Sequence, residues 1–232
     1  MFPEARTLRM DRDTTSKKNS HEQILESFGR GDADILIGTQ MIVKGHDFSR
    51  VTLVGVLLAD LTLFSGDYRA GERTFDLLTQ AAGRAGRGDV PGKVVIQTYK
   101  PDNYAITAAA SQDYRAFYDI EEAYRSLMRY PPEWNMMVIM GTGMDEEQLA
   151  NIMDRMYSLI RGKYINAGHL SVIGPSEPAI SKIKDVYRRV LYIKHRDYRM
   201  LVDVKDYVEE WLKENGENDV SVFFDLNPVN MY

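Results

Sequence analysis

Cysteine is absent from this chain of 232 residues. The absence excludes disulfide bonds and cysteine-ligated zinc within the chain, and it fits a cytoplasmic protein. Long apolar runs are absent as well. Since no stretch approaches the roughly 18 apolar residues that a membrane-spanning helix needs, we expect no contact with a membrane.

An excess of positive charge is also lacking, because the net charge is −5. Total charge therefore gives no argument for nucleic-acid binding, and such an argument has to come from a local basic patch. Hydrophobic residues make up 44% of the chain and charged residues 27%, which is typical of globular proteins. The length allows one large domain or two ordinary ones.

A third absence concerns phosphate binding. The pairs Gly92-Lys93 and Gly162-Lys163 lack both the leading glycine and the following Ser or Thr of a G-x-x-x-x-G-K-[ST] loop. Such a loop and an acidic Mg²⁺ ligand are needed to hold and hydrolyse ATP. We therefore expect the isolated chain to be inactive as an ATPase.

The first half of the chain alternates apolar strands with amphipathic helices, which predicts a parallel α/β domain. The predicted strands cover 7–10, 34–38, 51–58 and 93–99, and the predicted helices cover 20–28, 69–87 and 103–128. Pro131-Pro132 stops the last helix, so we place the domain boundary between residues 130 and 131. Ligands of such folds bind beyond the carboxyl ends of strands, where the loops 38–47 and 59–68 would lie.

The second half, 131–232, follows the order β-α-β-β-α-β. This order predicts a small α+β domain of the ferredoxin-like type. The methionine and aromatic stripes on its two predicted helices are interpreted as core positions.

The stretch from Thr79 to Arg87 reads TQAAGRAGR. If it is helical, Gln80, Arg84 and Arg87 share one face at i, i+4 and i+7. Glycine inside a helix costs about 1 kcal/mol relative to alanine, so Gly83 and Gly86 indicate the close approach of a phosphate or a facing domain. Two guanidinium groups suit a polyphosphate, whereas the alternative is a solvated helix end.

A second candidate is the loop GTQMIVKGHDF, residues 38–48, which follows a predicted strand and carries a hydroxyl, an amide, a lysine and a carboxylate. An ordinary strand-to-helix turn is the alternative. Asp60, at the end of the long apolar strand, is a weak candidate by itself.

These two motifs resemble motifs V and VI of superfamily 2 helicases, in the second RecA-like lobe. Further stretches extend the resemblance to the PriA family (primosomal protein N′) of bacterial replication-restart DNA helicases, over essentially the whole chain. They are VTLVGVLLAD at 51–60, YRAGER at 68–73, YPP at 130–132, VIGP at 172–175 and DLNP at 225–228. The resemblance implies a RecA-like helicase lobe 2 at 1–130, with linking helices from about 103, and a C-terminal DNA- or partner-binding domain at 131–232.

The resemblance also implies roles for residues. Arg87 would be the arginine finger and Arg84 a second catalytic phosphate contact. The nucleotide would further be bound by Gln80, Gly45 and Asp47, and DNA by Thr39 and Lys44. ATP with Mg²⁺ would be completed by a first lobe that the chain lacks, and zinc is expected in the longer protein only. His46 is interpreted as idle.

Residues 182–199 carry seven basic and two acidic residues, hence a local charge of +5, interleaved with tyrosines. Cations with stackable rings suit branched or single-stranded DNA, and a merely charged strand face is the alternative. The candidates for DNA binding here are Lys182, Lys184, Arg188 and Arg189. The resemblance further implies a site for the acidic tail of single-stranded DNA-binding protein, with Arg196 and Arg199 as candidates, and contacts with other primosome proteins.

Taken together, the expected function is that of part of an ATP-dependent 3′→5′ DNA helicase that recognises stalled or branched forks and initiates primosome assembly. Two alternatives stay open. The chain could be a non-catalytic module that docks DNA or protein, or it could be lobe 2 of another superfamily 2 translocase.

Overall fold

The computed structural model describes residues 3–11, 13–15, 20–43, 48–86, 90–216 and 219–232. Two compact units are present, Met1–Ser65 with Arg69–Tyr118 and Gly66–Tyr68 with Asp119–Tyr232. The division falls between Tyr118 and Asp119, within the helix Tyr114–Leu127, and so before the boundary predicted between residues 130 and 131. Among the described residues, no helix is both long and apolar enough to cross a membrane.

The first unit contains two parallel strand pairs, as the alternation of strands and helices predicts. Strand β1 (Thr7–Met10) pairs with β2 (Ile35–Gly38), and β3 (Leu53–Val56) pairs with β4 (Lys93–Ile96). The connecting helices are α1 (Ser20–Arg30), α2 (Ala70–Ala82) and α3 (Tyr104–Ser111), with short 3-10 helices at Gln40–Val43 and Ala59–Leu61. The predicted parallel α/β class is confirmed.

Several predicted elements of this unit differ from the structure; strand β4, for example, ends at Ile96, whereas the prediction extended to residue 99. Strand β3 is shorter than the apolar run 51–58, because Leu58 takes a left-handed conformation with φ 52°. The helix predicted at 103–128 is two helices, α3 and α4 (Tyr114–Leu127). The break lies at Gln112, where φ is 55°, and the carboxylate of Asp113 then accepts a hydrogen bond from the Ala116 amide at 2.9 Å.

Helices α2, α3 and the start of α4 build the core of the first unit. The rings of Phe75 and Phe117 stack with centroids 4.3 Å apart, and Leu78 and Ile106 are buried beside them. Burial of such a side chain stabilises the fold by roughly 1.5–3 kcal/mol. This core fixes α2, and with it the start of the arginine stretch.

The second unit has the predicted β-α-β-β-α-β order with one extra short strand. Its sheet runs β6-β8-β5-β9 with every neighbouring pair antiparallel, and β7 pairs with the start of β8. The elements are β5 (Asn135–Gly143), α5 (Glu146–Tyr164), β6 (Ser171–Ser176), β7 (Lys182–Ile183), β8 (Val186–His195), α6 (Tyr198–Asn215) and β9 (Val220–Leu226). Asp145 and Asp197 cap α5 and α6 through their carboxylates.

Side chains of β8 alternate between the two faces of this sheet. Leu191 and Ile193 belong to the core that α5 and α6 cover, whereas Val190 and Tyr192 pack with Val138 on the opposite face. The alternation decides where each basic residue of the strand points.

Candidate functional site

The arginine stretch leaves the helix earlier than expected. Helix α2 ends at Ala82, and the amides of Arg84 and Ala85 bond three residues back, to the carbonyls of Ala81 and Ala82, at 3.1 and 3.2 Å. Gln80 is exposed on the last turn of the helix, and Arg84 lies half-buried in the tight turn that follows. The shared face of Gln80, Arg84 and Arg87 was predicted on the condition that the stretch is helical, and this condition is not met at Arg84. Arg87 lies outside the described residues.

The two glycines of the stretch differ in backbone conformation and in the space around them. Gly86 has a φ of +74°, its amide donates to the Val51 carbonyl at 3.1 Å, and a Cβ on it would lie 2.5 Å from the Gly92 nitrogen. Gly83 has a φ of −66°, and the nearest atom to a Cβ there would be a carbonyl oxygen at 3.5 Å. The close approach inferred for Gly86 is thus made by the chain's own backbone.

This turn lies at one end of the strand pair β3–β4. Val51, which receives the Gly86 amide, precedes β3, so the turn is at the amino ends of the two strands. The loops 38–47 and 59–68 instead follow the carboxyl ends of β2 and β3. The sequence alone did not place the arginine turn at the amino ends.

The first candidate loop is described only in part. Thr39 is exposed, and its carbonyl accepts the Ile42 amide at 3.1 Å, which opens the 3-10 helix Gln40–Val43. That short helix contacts α2. The other candidates of this loop, Lys44, Gly45, Asp47 and His46, lie outside the described residues.

Asp60 is a structural anchor at the carboxyl end of β3. Its buried carboxylate accepts the Thr98 hydroxyl at 2.7 Å and the Tyr99 amide at 2.9 Å. The bond from Thr98, followed by that from Tyr99, holds the pKa of this carboxyl below its usual range. In the sequence, Asp60 could be noticed only as an acid directly after an apolar strand. Its hydrogen-bond partners could not be predicted, because they lie almost forty positions later.

The basic strand β8 does not present its arginines on one surface. Arg188 lies opposite Thr142, and its guanidinium donates to the Ile180 carbonyl at 3.1 Å and lies 3.5 Å from the Met140 sulfur. Arg189 lies opposite Gly141 and, as the next residue of the strand, points to the other face.

Three further basic residues of the patch have distinct surroundings. Lys182 is exposed in β7, 3.8 Å from the Asp185 carboxylate and over the ring of Tyr187. Lys184 is exposed in the turn between β7 and β8, where its φ is 47°. Lys194 is buried, so it is not part of an accessible cationic surface.

The two candidates for partner binding follow β8. The Arg196 guanidinium lies 5.3 Å from the ring of Trp134, and Arg129 lies 5.0 Å from the same ring. Arg199 is exposed in the first turn of α6, where its amide is bonded to the Asp197 carboxylate at 2.9 Å. The predicted patch is therefore divided. Lys182, opposite Tyr187, shares the helix-covered face with Arg189, whereas Arg188 points to the other face and Lys184 lies in the turn. Arg196 and Arg199 lie beyond the end of β8, near Trp134 and at the start of α6.

Two family models match the chain in succession. Residues 4–89 match the helicase conserved C-terminal domain, and residues 126–229 match the primosomal protein N C-terminal domain. Each model falls on one half of the chain, in the order that the sequence motifs predict.

Curated relatives match along the whole chain. Replication restart protein PriA of Bacillus subtilis is 42% identical over 100% of the chain, and that of Synechocystis is 35% identical over 99%. The protein of the same name from Chlamydia trachomatis is 38% identical over 100%. The chain spans less than a third of these relatives, 29%, 27% and 30% of their respective lengths.

Proposed function

Because the chain belongs to the family of replication restart protein PriA and matches its C-terminal part, we propose that it is the second half of an ATP-dependent 3′→5′ DNA helicase. That helicase recognises stalled or branched forks and initiates primosome assembly. The observation that carries the proposal is the 42% identity to a replication restart protein over the full chain, with both domain models in order.

In this proposal, the arginine turn supplies one side of the ATP site. Arg87 and Arg84 neutralise phosphate charge in the transition state, while Gln80, Gly45 and Asp47 contact the nucleotide. The exposed side chain of Gln80 supports this role, because its amide offers a donor one helical turn before Arg84. ATP with Mg²⁺ supplies the phosphoryl group that is cleaved.

The chain lacks the phosphate loop, so the other side of the site has to come from the preceding part of the longer protein. The same part carries the zinc expected in that protein. Phosphoryl transfer then requires the arginine turn to contact the nucleotide that the preceding part binds, because an arginine finger acts by stabilising the charge of the transition state.

The second unit is proposed to bind DNA and partner proteins. Lys182, Lys184 and Arg188 of the β7–β8 hairpin contact phosphates, as do Thr39 and Lys44 of the first unit, and Arg189 contacts DNA or protein from the helix-covered face of the sheet. Arg196 and Arg199 bind the acidic tail of single-stranded DNA-binding protein. Other primosome proteins bind the same helicase in the cytoplasm. The hairpin of β7 and β8 supports the DNA contact, because Lys182 and Lys184 are exposed there.

A docking module without a catalytic contribution is the second candidate function. The basic hairpin favours it, since cations at a hairpin tip bind DNA without any ATP site. Another superfamily 2 translocase is disfavoured by the match of residues 126–229 to the primosomal protein N C-terminal domain.

A chimera tests the catalytic proposal. The chain is joined to the preceding part of the Bacillus subtilis relative, and DNA-stimulated ATP hydrolysis and fork unwinding are measured. We expect activity from the chimera, none from the chain alone, and a loss of roughly 10³- to 10⁵-fold on Arg87→Ala. ATP hydrolysis by the chain alone, or full hydrolysis by the Arg87→Ala chimera, would contradict the proposal.

Single substitutions test the DNA contact. Arg188→Ala should weaken fork binding by the chain and lower the salt dependence by about one phosphate contact. Arg189→Ala, one residue along on the other face, shows whether the second face takes part. If neither change alters the affinity or its salt slope, β8 does not bind the fork.

A further inference from the structure

Two aromatic side chains stand in solvent at the carboxyl ends of β3 and β4. Phe64 is 64% exposed and Tyr99 is 80% exposed. Phe64 follows the 3-10 helix that continues from β3, and Tyr99 comes shortly after β4. In parallel α/β folds this edge of the sheet is where ligands bind.

Both aromatic residues are anchored to Asp60. The Asp60 carbonyl accepts the Phe64 amide at 3.2 Å, and the Asp60 carboxylate accepts the Tyr99 amide at 2.9 Å. The Thr98 hydroxyl bonds the same carboxylate, and the Lys100 amide in turn bonds that hydroxyl at 2.9 Å. Asp60 is only 3% exposed, so a buried, hydrogen-bonded acid fixes the backbone that carries both rings.

A cation accompanies the rings. The Lys100 ammonium lies 5.6 Å from the centroid of the Phe64 ring, within the range of a cation–π contact. Exposed rings on a fixed backbone with an adjacent cation have the two elements of single-stranded nucleic-acid sites, in which bases stack and phosphates meet positive charge.

We infer that Phe64, Tyr99 and Lys100 form a stacking site for single-stranded DNA on the first unit. The inference rests on the proposed function, which makes DNA the substrate, and it adds a binding surface to it. Tyr99 and Lys100 lie between the two stretches matched by the family models, 4–89 and 126–229, so neither model covers them.

Single-stranded DNA fits this surface better than a protein partner does. The cation next to the Phe64 ring complements a phosphate, and the hydrogen bonds from the Phe64 and Tyr99 amides to Asp60 fix the backbone at both residues, so less of the chain has to become ordered on binding.

The test measures the affinity of the chain for a labelled oligo-dT of about 12 nucleotides and for an abasic oligonucleotide with the same phosphates. We expect Tyr99→Ala and Phe64→Ala each to weaken oligo-dT binding about 5-fold or more, and Tyr99→Phe to retain it. Lys100→Ala should reduce the salt slope by about one phosphate contact. Tyr114→Ala is the matched control, because Tyr114 is also an exposed aromatic residue of the first unit.

Equal binding of oligo-dT by Tyr99→Ala, Phe64→Ala and the unchanged chain overturns the inference. An equal loss on the abasic strand also overturns it, since bases would then contribute nothing. The chimera with Arg87→Ala tests the proposed function separately. Unchanged oligo-dT binding by the Tyr99 and Phe64 variants, with ATP hydrolysis by the chimera that still depends on Arg87, refutes only the stacking site. Weakened oligo-dT binding by these variants, with ATP hydrolysis that does not depend on Arg87, refutes only the catalytic proposal.

Discussion

Replacement of Lys194 by methionine should stabilise the second unit at neutral pH. Lys194 is 6% exposed, its ammonium donates to the Met128 carbonyl at 3.2 Å, and it lies 3.5 Å from the centroid of the Tyr130 ring. It forms no ion pair with any residue that the structure describes. Burial, and secondarily the nearby Arg129, lower its pKa from 10.5 to about 8.

The lowered pKa sets both the size and the sign of the effect. A decrease from 10.5 to about 8 corresponds to at most about 3 kcal/mol against the charged form, and the Tyr130 ring and the carbonyl offset part of it. Since the folded protein releases this proton at a lower pH than the unfolded chain, the unfolded chain binds more protons between these two values. Stability should therefore rise as the pH increases from about 8 towards 10.5.

Urea unfolding near pH 7 and near pH 9.5 measures this effect. Lys194→Met removes the buried charge, so we expect it to raise the free energy of unfolding by about 1–3 kcal/mol near pH 7 and by less near pH 9.5. Lys184→Met, at an exposed lysine, should change it by less than about 0.5 kcal/mol. Because the ammonium is covered, fork affinity should stay unchanged.

A clear destabilisation by Lys194→Met near pH 7 would refute this reasoning, because it would mean that the contacts of the cation outweigh its desolvation. A loss of DNA affinity together with a lower salt slope would show that the ammonium reaches the phosphates.

Two further substitution sets test the described geometry. Gly86→Ala should lower the free energy of unfolding of the first unit by about 1–2 kcal/mol or more in thermal or urea unfolding. The backbone at residue 86 is in the left-handed region, and the added Cβ would clash with the Gly92 nitrogen. Gly83→Ala is its control and should be neutral or slightly stabilising, so equal effects of the two changes would contradict the turn. Arg125→Met should cost about 3–5 kcal/mol, since it leaves the buried Glu121 carboxylate without the guanidinium that now bonds it at 2.7 Å. The double change Glu121→Leu/Arg125→Met should recover much of that loss, and additive losses in this cycle would show that the pair is not coupled.

Local patterns were sufficient for most of the fold. Helix α1 begins at Ser20 as predicted, and the β-α-β-β-α-β order of the second unit follows from apolar periodicity over short windows. These features depend on neighbours within a few positions of the chain. The break at Gln112 was missed, because the apolar pattern continues across it while a single residue changes backbone conformation.

The candidate sites were predictable only as residue types. TQAAGRAGR indicated arginines near a phosphate, but the length of α2 and the contact of Gly86 with Gly92 were needed to place Arg84 in a turn. The basic density of residues 182–199 was visible in the sequence. The period of a strand, once β8 is established, puts Arg188 and Arg189 on opposite faces.

The sequence by itself therefore determined the family, the classes of the two units and the kinds of charge that each carries. Only the tertiary structure decided which of those charges are accessible. Lys194 is covered by residues more than sixty positions earlier, and Asp60 is satisfied by residues that follow almost forty positions later. Burial of a charge and anchoring of a loop depend on such distant contacts, because both arise only when separate elements pack together, whereas periodicity and capping act within a single element.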